Sequence, residues 1–260
     1  MSEFRGAILD VDGTIVLGDR SIPGASDAVA ALRDAGLELL LFSNNPNKRQ
    51  DHYAERLGSH GIEIEPDRFL TAATVTAEYL ADRHADDDLL VIGEPGLVEL
   101  LRERDLALGA DPDEADAVVG SIDRKFDYDR LTDALWALDG DGVDFLGTDP
   151  DVTIPVEDHL VPGSGAILGA ISAATGREPD RILGKPSDVA IEAALDRLGV
   201  PAESVLVVGD RLDTDIAMGE RAGMTTALVL TGVTDRDAAA ASDVTPDHIL
   251  ESIADVEELL

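Results

Sequence analysis

Short apolar runs alternate with amphipathic segments along almost the whole chain. The runs at residues 7–10, 37–42 and 205–208 have the length of buried strands, and the segments between such runs have helical spacing of their apolar residues. This alternation is typical of parallel strands that are joined by helical crossovers. The sequence therefore predicts an α/β fold with a doubly wound parallel sheet.

The two ends of the chain and its middle each contain their own series of such segments. At the ends, strands are predicted at 7–10, 37–42, 205–208 and 224–230, and helices at 25–35, 48–59, 187–198, 236–241 and 251–260. In the middle, helices are predicted at 71–84, 96–104 and 128–138, and strands at 89–92, 117–119 and 143–146. We therefore expect a discontinuous core of residues 1–74 and 178–260, into which a separate α/β cap domain of residues 75–177 is inserted.

Acidic residues greatly outnumber basic ones. The chain has 54 Asp and Glu against 20 Lys and Arg, which gives a formal net charge of -34. Such a surface repels itself, and salt relieves the repulsion because the Debye length falls to about 3 Å at 1 M. The acids are spread along the chain, which does not suit an acidic tail or a basic-partner binder. The balance predicts a salt-adapted protein similar in composition to those of halophilic archaea, and it argues against a nucleic-acid partner.

Cysteine and long apolar runs are both missing from the sequence. Without cysteine, disulfides, thiol nucleophiles and thiolate metal ligands are excluded. No charged-then-apolar leader precedes the first predicted strand, and the apolar runs are only a few residues long. We therefore expect a soluble cytoplasmic protein without a membrane partner. The histidines are scattered without the spacing of metal ligands.

Two aspartates, Asp10 and Asp12, come directly after the first predicted strand. Carboxylates at i and i+2 leave a strand on the same side and can converge on one point. One could attack a substrate while the other moves protons, and Gly13 permits the sharp turn that a small anionic substrate and a cation would need. A simple turn remains an alternative. An EF-hand is excluded by spacing, because Ile15 and Ser21 stand where that loop requires Gly and Glu.

Three later segments also place polar side chains just after apolar runs. Ser43 follows the run 37–42, Lys185 lies between a glycine and a proline, and Asp210 and Asp215 follow the run 205–208. In open parallel sheets, functional sites form at the carboxyl ends of the strands. These side chains are therefore expected to meet the first aspartate pair.

Each of these segments also has a simpler interpretation. Ser43 alone is typical of a turn or a helix cap, and Lys185 alone is typical of a surface. Asp213 competes with Asp215 as the second acid, although a helix cap is the better interpretation of Asp213. The segment 162–165 lacks the lysine of a Walker loop, so we interpret it as the entry to a helix.

Taken together, the four segments match in type and order the motifs of the haloacid dehalogenase superfamily of aspartate-nucleophile phosphatases, which the chain resembles over nearly its whole length. Segments 43–45, 123–126, 162–165, 184–186 and 209–216 are similar to subclass IIA, the branch with a large C2-type α/β cap inserted after the second motif. That branch includes p-nitrophenyl phosphatases, phosphoglycolate and pyridoxal phosphate phosphatases, and NagD-like nucleotide or sugar phosphatases.

The resemblance implies a Mg²⁺-dependent phosphomonoesterase that acts on a small phosphorylated metabolite through an aspartyl-phosphate. The implied substrates are a sugar phosphate, phosphoglycolate, a nucleoside monophosphate or a p-nitrophenyl phosphate type of ester. The implied catalytic residues are Asp10 as nucleophile, Asp12 as general acid and base, Ser43 and Lys185. The implied metal ligands are Asp10, the Asp12 carbonyl, Asp210 and an outer-shell Asp215, and the implied substrate-binding residues are Ser43, Asn44, Asn45 and Lys185.

Two other functions remain open at this point. The same aspartyl-phosphate would also allow phosphoryl transfer to an acceptor other than water. A catalytically silent regulatory or scaffold protein would share the fold, although the complete set of acids argues against it. The resemblance also leaves room for a homo-oligomer that forms through the cap domain.

One position departs from the pattern of the resembled family. Its members usually carry Thr-Asn near the end of the cap, whereas here Asp149 follows Thr148. If this position touches the substrate, the acid removes a hydrogen-bond donor and repels a second anionic group. If it faces solvent, it is one more salt adaptation. The sequence leaves both interpretations open.

Overall fold

The apolar runs of the sequence form the strands of two parallel sheets. The structure, a computed structural model, describes residues 4–156 and 159–260. Its strands are β1 (Gly6–Leu9), β2 (Val16–Leu17), β3 (Arg20–Ser21), β4 (Glu38–Ser43), β5 (Phe69–Thr71), β6 (Asp88–Ile92), β7 (Ala107–Leu108), β8 (Ala117–Gly120), β9 (Asp144–Gly147), β10 (Thr153–Val156), β11 (His159–Pro162), β12 (Arg181–Ile182), β13 (Val205–Gly209), β14 (Thr225–Val229) and β15 (His248–Leu250). The predicted α/β fold is confirmed.

Helices connect most of these strands. They are α1 (Ala25–Asp34), α2 (Gln50–Gly58), α3 (Ala72–Arg83), α4 (Pro95–Arg102), α5 (Tyr128–Leu138), α6 (Ser164–Thr175), α7 (Asp188–Leu198), α8 (Ala217–Ala222) and α9 (Arg236–Ala241). Short 3₁₀ helices lie at Pro66–Arg68, Pro112–Glu114, Ala202–Ser204 and Ile253–Leu259, and a π-helical turn lies at Leu212–Ile216. No helix among the described residues combines the length and the apolar character needed to cross a membrane.

The chain divides into two units. The first comprises Met1–Ser43, Gln50–Leu70 and Lys185–Leu260, and the second comprises Asn44–Arg49 and Thr71–Gly184. The boundaries that the sequence predicts for the cap, 75 and 177, both lie inside the second unit.

The first unit is built on a six-stranded sheet with the order β15-β14-β13-β1-β4-β5. Strand β1 pairs in parallel with β13 on one side and with β4 on the other. Every residue of β1 and β13 is buried, as expected for central strands that are covered on both faces. The principal core cluster of this unit consists mostly of Ala, Val, Leu and Ile.

The second unit is built on a five-stranded sheet with the order β12-β9-β8-β6-β7, whose pairings are parallel. Along β8, Ala117 and Val119 contribute to one core cluster and Val118 to another, so apolar side chains cover both faces of this sheet. Strands β10 and β11, which come between β9 and β12 in the chain, pair with each other in antiparallel orientation.

Several short elements were not predicted. They are the strands β5, β7, β12 and β15 and the antiparallel pairs β2–β3 and β10–β11. These strands are short, and pairing with a neighbouring strand decides whether such segments are extended. The α-helix predicted at 251–260 is also wrong in type, because the chain there forms a 3₁₀ helix.

Candidate active site

Three neighbouring strands of the first unit end beside one another and deliver the predicted site residues. Asp10 follows β1, Ser43 ends β4 and Asp210 follows β13. The parallel register that pairs Leu9 with Val208 brings the ends of β1 and β13 level with each other. The site therefore lies at the carboxyl edge of the sheet, where open α/β folds place their ligands.

Lys185 lies at the centre of this group, although it is 175 residues away from Asp10 in the sequence. Its ammonium donates hydrogen bonds to Oδ1 of Asp10 at 2.9 Å, to Oδ1 of Asp215 at 2.6 Å and to the carbonyl of Phe42 at 2.6 Å. Only 1% of this lysine is exposed. The interpretation of Lys185 as a surface residue is therefore wrong.

The charges in this buried group are unbalanced. Burial raises the pKa of Asp10 well above its usual range, Lys185 opposes that rise, and Asp215 and Asp210 add to it. Burial, followed by repulsion from Asp215, raises the pKa of Asp210 to about 7. Burial acts to lower the pKa of Lys185, but attraction to Asp10 and Asp215 raises it above its usual value, so the ammonium stays charged. One cation thus faces three carboxyl groups.

A divalent cation fits this imbalance. One carboxylate oxygen from each of Asp10, Asp210 and Asp215 lies within 4.8 Å of the others. Oδ2 of Asp10 and Oδ1 of Asp210 are buried and have no hydrogen-bond partner among the described residues. Oxygen atoms of carboxylates are the ligands that Mg²⁺ prefers. By contrast, Asp215 uses Oδ1 for Lys185 and accepts the N–H of Arg211 on Oδ2 at 3.2 Å, which suits an outer-shell role.

The loop after β14 fixes the orientation of the Asp210 carboxylate. The backbone N–H of Val233 donates to Oδ2 of Asp210 at 2.6 Å, which leaves Oδ1 for another ligand. Gly13, at φ 103°, lies directly against the same carboxylate, and a Cβ at residue 13 or at Gly232 would overlap Oδ2. Glycine is therefore required at both positions because the backbone approaches Asp210 so closely.

Asp12 is partly exposed, and its side chain bonds to residues of α2. Its side chain is 48% exposed, and its Oδ1 accepts a hydrogen bond from Nη1 of Arg56 at 2.8 Å. The hydroxyl of Tyr53 donates to Oδ2 of Asp12 at 3.3 Å and also lies 2.9 Å from Oγ of Ser43. Tyr53 thus connects two of the predicted catalytic residues.

Asn44, Asn45 and Asp213 complete the set of residues that the sequence singles out. Asn44 and Asn45 belong to the second unit, where Oδ1 of Asn45 accepts the backbone N–H groups of Asn47 and Lys48 at 2.9 Å each. Their predicted role in substrate binding stays a prediction. The interpretation of Asp213 as a helix cap is wrong, because Asp213 lies within the π-helical turn and pairs with Arg211.

Asp149 does not face solvent, so that interpretation is wrong. Within the second unit it is only 2% exposed. Its Oδ2 accepts a hydrogen bond from the hydroxyl of Thr148 at 3.0 Å, and its Oδ1 accepts the N–H of Asp151 at 3.2 Å. Burial, followed by repulsion from Asp151, raises the pKa of Asp149 to about 7.

Comparison with known proteins connects this geometry to a family. Residues 7–107 match the haloacid dehalogenase-like hydrolase family, and residues 182–256 match a HAD-hydrolase-like family. The chain is 33% identical to the 5'-nucleotidase YutF of Bacillus subtilis over 98% of both chains. The chain belongs to the haloacid dehalogenase-like hydrolases. The predicted superfamily is confirmed.

This haloacid dehalogenase-like hydrolase has further relatives that match it from end to end. It is 32% identical to an acid sugar phosphatase of Staphylococcus epidermidis, over 97% of this chain and 96% of the relative. Its structure is similar to that of a p-nitrophenyl phosphatase from Archaeoglobus fulgidus, with a TM-score of 0.92, 38% identity and 99% of each chain covered. The predicted resemblance to the p-nitrophenyl phosphatase branch is thus confirmed.

The sequence alone did not identify Tyr53 and Arg56 as residues of the hydrolase site. Both lie on α2, three residues apart, and therefore on one face of the helix. A signal did exist for Arg56. Basic residues are scarce in this acidic chain.

Proposed function

We propose that this protein is a phosphatase that hydrolyses phosphate monoesters of small organic molecules with the aid of Mg²⁺. The observation that carries the proposal is the buried group around Lys185, in which Asp10 and Asp210 each keep one carboxylate oxygen without a hydrogen-bond partner. The names of the relatives add support, since a sugar phosphatase, a nucleotidase and a p-nitrophenyl phosphatase all cleave phosphate esters.

The residues present fit a magnesium ion. The side chains of Asp10 and Asp210 and the backbone carbonyl of Asp12 would hold it, with Asp215 behind them. When bound, the ion supplies positive charge that offsets the repulsion between a phosphate dianion and the attacking carboxylate.

The reaction itself is assigned to side chains of the first unit. A carboxylate oxygen of Asp10 attacks phosphorus, so that a P–O bond to Asp10 forms while the ester P–O bond breaks. Asp12 gives a proton to the departing oxygen and then takes one from the water that hydrolyses the aspartyl-phosphate. The products are the alcohol, inorganic phosphate and regenerated Asp10.

Two further side chains act on the phosphoryl group. Lys185 holds Asp10 in a fixed orientation and contributes positive charge next to it. Ser43 is 4% exposed and is the last residue of β4, which pairs with β1. From this position its hydroxyl would bind a phosphoryl oxygen. Asn44 and Asn45, which follow Ser43 directly, would supply further hydrogen-bond donors.

Salt adaptation forms a second part of the proposal. The formal net charge of -34 makes the folded chain repel itself, and concentrated KCl would screen that repulsion. We therefore place the working conditions of the enzyme at high ionic strength.

A phosphate-release screen in concentrated KCl tests the proposal. The panel contains sugar phosphates, phosphoglycolate, nucleoside monophosphates and p-nitrophenyl phosphate, each with Mg²⁺ and with a chelator. We expect Mg²⁺-dependent release that Asp10→Asn abolishes while the variant stays folded. Undiminished turnover by Asp10→Asn would refute the assignment of the nucleophile, and products phosphorylated on an added alcohol would indicate a phosphotransferase instead.

A further inference from the structure

Helix α2 holds the side chain of Asp12 by both of its oxygen atoms. Nη1 of Arg56 donates to Oδ1 at 2.8 Å, and the hydroxyl of Tyr53 donates to Oδ2 at 3.3 Å. Neither partner belongs to the buried group around Lys185. A carboxylate that is 48% exposed would otherwise rotate between several rotamers.

Both partners are themselves held in place. The second Nη of Arg56 donates to the backbone carbonyl of Gly18, so one guanidinium bridges the Asp12 loop and the β2–β3 turn. The Arg56 side chain is only 20% exposed, and Tyr53 is 1% exposed and stacks on Phe69. The support for Asp12 is therefore rigid, which is the condition under which a catalytic group gains rate from fixed orientation.

We propose that Arg56 and Tyr53 are positioning residues, which hold the Asp12 carboxyl where it exchanges a proton with the leaving oxygen. This inference rests on the proposed function, because it takes the proton-transfer role of Asp12 from there. Arg56 and Tyr53 do not touch the phosphoryl group in this account, and they act only through Asp12 and, for Tyr53, through Ser43.

The need for a correctly placed Asp12 depends on the leaving group. A p-nitrophenolate departs as a stable anion and needs little help from an acid, whereas the alkoxide of a sugar or glycerol phosphate must be protonated as it leaves. Loss of the support for Asp12 should therefore slow alkyl phosphates much more than p-nitrophenyl phosphate. General distortion of the site would slow both substrates by the same factor.

The experiment measures kcat and KM on glycerol phosphate and on p-nitrophenyl phosphate for Arg56→Gln. Tyr53→Phe is the second variant, Asp12→Ala the reference, and Arg68→Gln the control. Arg68 forms an exposed ion pair with Glu38 at 2.9 Å in the same unit and does not contact Asp12. We expect Arg56→Gln to lower kcat/KM, which reports the steps up to cleavage of the ester, about tenfold or more on the alkyl ester and less than about threefold on the aryl ester. Arg68→Gln should change neither.

Each outcome separates this inference from the proposed function. If Asp12→Ala slows the alkyl ester selectively and neither α2 variant does, the positioning role is wrong and the proposed function stands. If Asp12→Ala lowers kcat/KM of both esters equally, Asp12 does not protonate the leaving oxygen and the inference fails with that role. In an Asp12→Ala background, Arg56→Gln should cause no further loss of activity on the alkyl ester relative to the aryl ester, because the two residues act as one unit. A faster reaction in Arg56→Gln would also overturn the inference.

Discussion

The ammonium of Lys185 lies 2.6 Å from Oδ1 of Asp215, and only 2% of either side chain is exposed. The same ammonium lies 2.9 Å from Asp10, so Asp215 fixes the lysine that in turn fixes the nucleophile. Such buried pairs add little net stability, because taking the charges out of water costs about as much as their attraction returns. Their main effect here is geometric, and they become costly only when one partner is removed.

Lys185→Met should therefore destabilise the first unit. The substitution leaves three neighbouring carboxyl groups without a cation, and removing one partner of a buried pair costs about 3–5 kcal/mol. Urea denaturation at neutral pH without Mg²⁺ measures the free energy of unfolding. The exposed Lys125 provides the control, since Lys125→Met should stay within about 0.5 kcal/mol of the unmodified protein. Equal stability of the two variants would contradict the arrangement described for Lys185.

Mg²⁺ should raise the melting temperature of the unmodified protein at constant ionic strength. An ion that binds only the folded state adds about 2.7 kcal/mol at 100 times its dissociation constant. Asp210→Asn should lose most of this shift because Oδ1 of Asp210 is one of the oxygens without a partner. The exposed Asp213 is the matched control, and Asp213→Asn should respond to Mg²⁺ as the unmodified protein does. An unchanged shift in Asp210→Asn would place the ion elsewhere.

Asp149 should make stability depend on pH. Its folded pKa of about 7 lies above the usual aspartate value of about 3.9, so the folded state keeps a proton that the unfolded chain has already lost. The stability that this proton contributes is fully present below about pH 4. It is lost as the pH rises toward 7, at up to about 1.4 kcal/mol per pH unit. Asp149→Asn removes it, so the stability of the variant relative to the unmodified protein should increase between about pH 5 and about pH 7.

Denaturation curves at several pH values measure that difference. Asp141→Asn, at an exposed loop position, should keep a constant difference from the unmodified protein over the same range. If the difference in unfolding free energy between Asp149→Asn and the unmodified protein does not change with pH, Asp149 is ionised in the folded state at all of these pH values. That result would contradict the raised pKa of Asp149.

Dilution of KCl should lower the melting temperature. The formal net charge of -34 is spread along the chain, and the Debye length increases from about 3 Å at 1 M salt to about 10 Å at 0.1 M. Repulsion between surface carboxylates therefore extends further in dilute salt and favours the expanded chain. Thermal melts across this range of KCl concentrations test the effect. A melting temperature that does not change would show that the acidic surface is not a salt adaptation.

Much of the site could be predicted because it depends on local sequence. Apolar runs form the central strands, and the polar residue after such a run lies at the carboxyl edge of the sheet. This reasoning located Asp10, Ser43 and Asp210. Parallel pairing then brings their strand ends together, whatever the details of the loops.

The contacts of Arg56 and Asp149 could not be predicted because both depend on packing between segments. Arg56 and Asp12 are 44 residues apart. Helical periodicity predicts that Arg56 and Tyr53 lie on one face of α2, but it does not predict which loop that face contacts. The polar segment around Asp149 is typical of an exposed loop. It is buried because α6 begins directly against it, and a Cβ at Gly163 or Gly165 would overlap the carbonyl of Asp151 or Pro150.

Detection of phosphate on Asp10 would demonstrate that the reaction passes through an aspartyl-phosphate. Radiolabelled p-nitrophenyl phosphate, whose leaving group needs little help from an acid, is mixed with Mg²⁺ and Asp12→Ala, a variant expected to hydrolyse the intermediate slowly, and the reaction is quenched in acid. Peptide mapping then locates the label. We expect label on Asp10 and no label in the double variant that also carries Asp10→Asn. Label on any other side chain, or a phosphate-releasing enzyme that carries no label, would contradict this expectation.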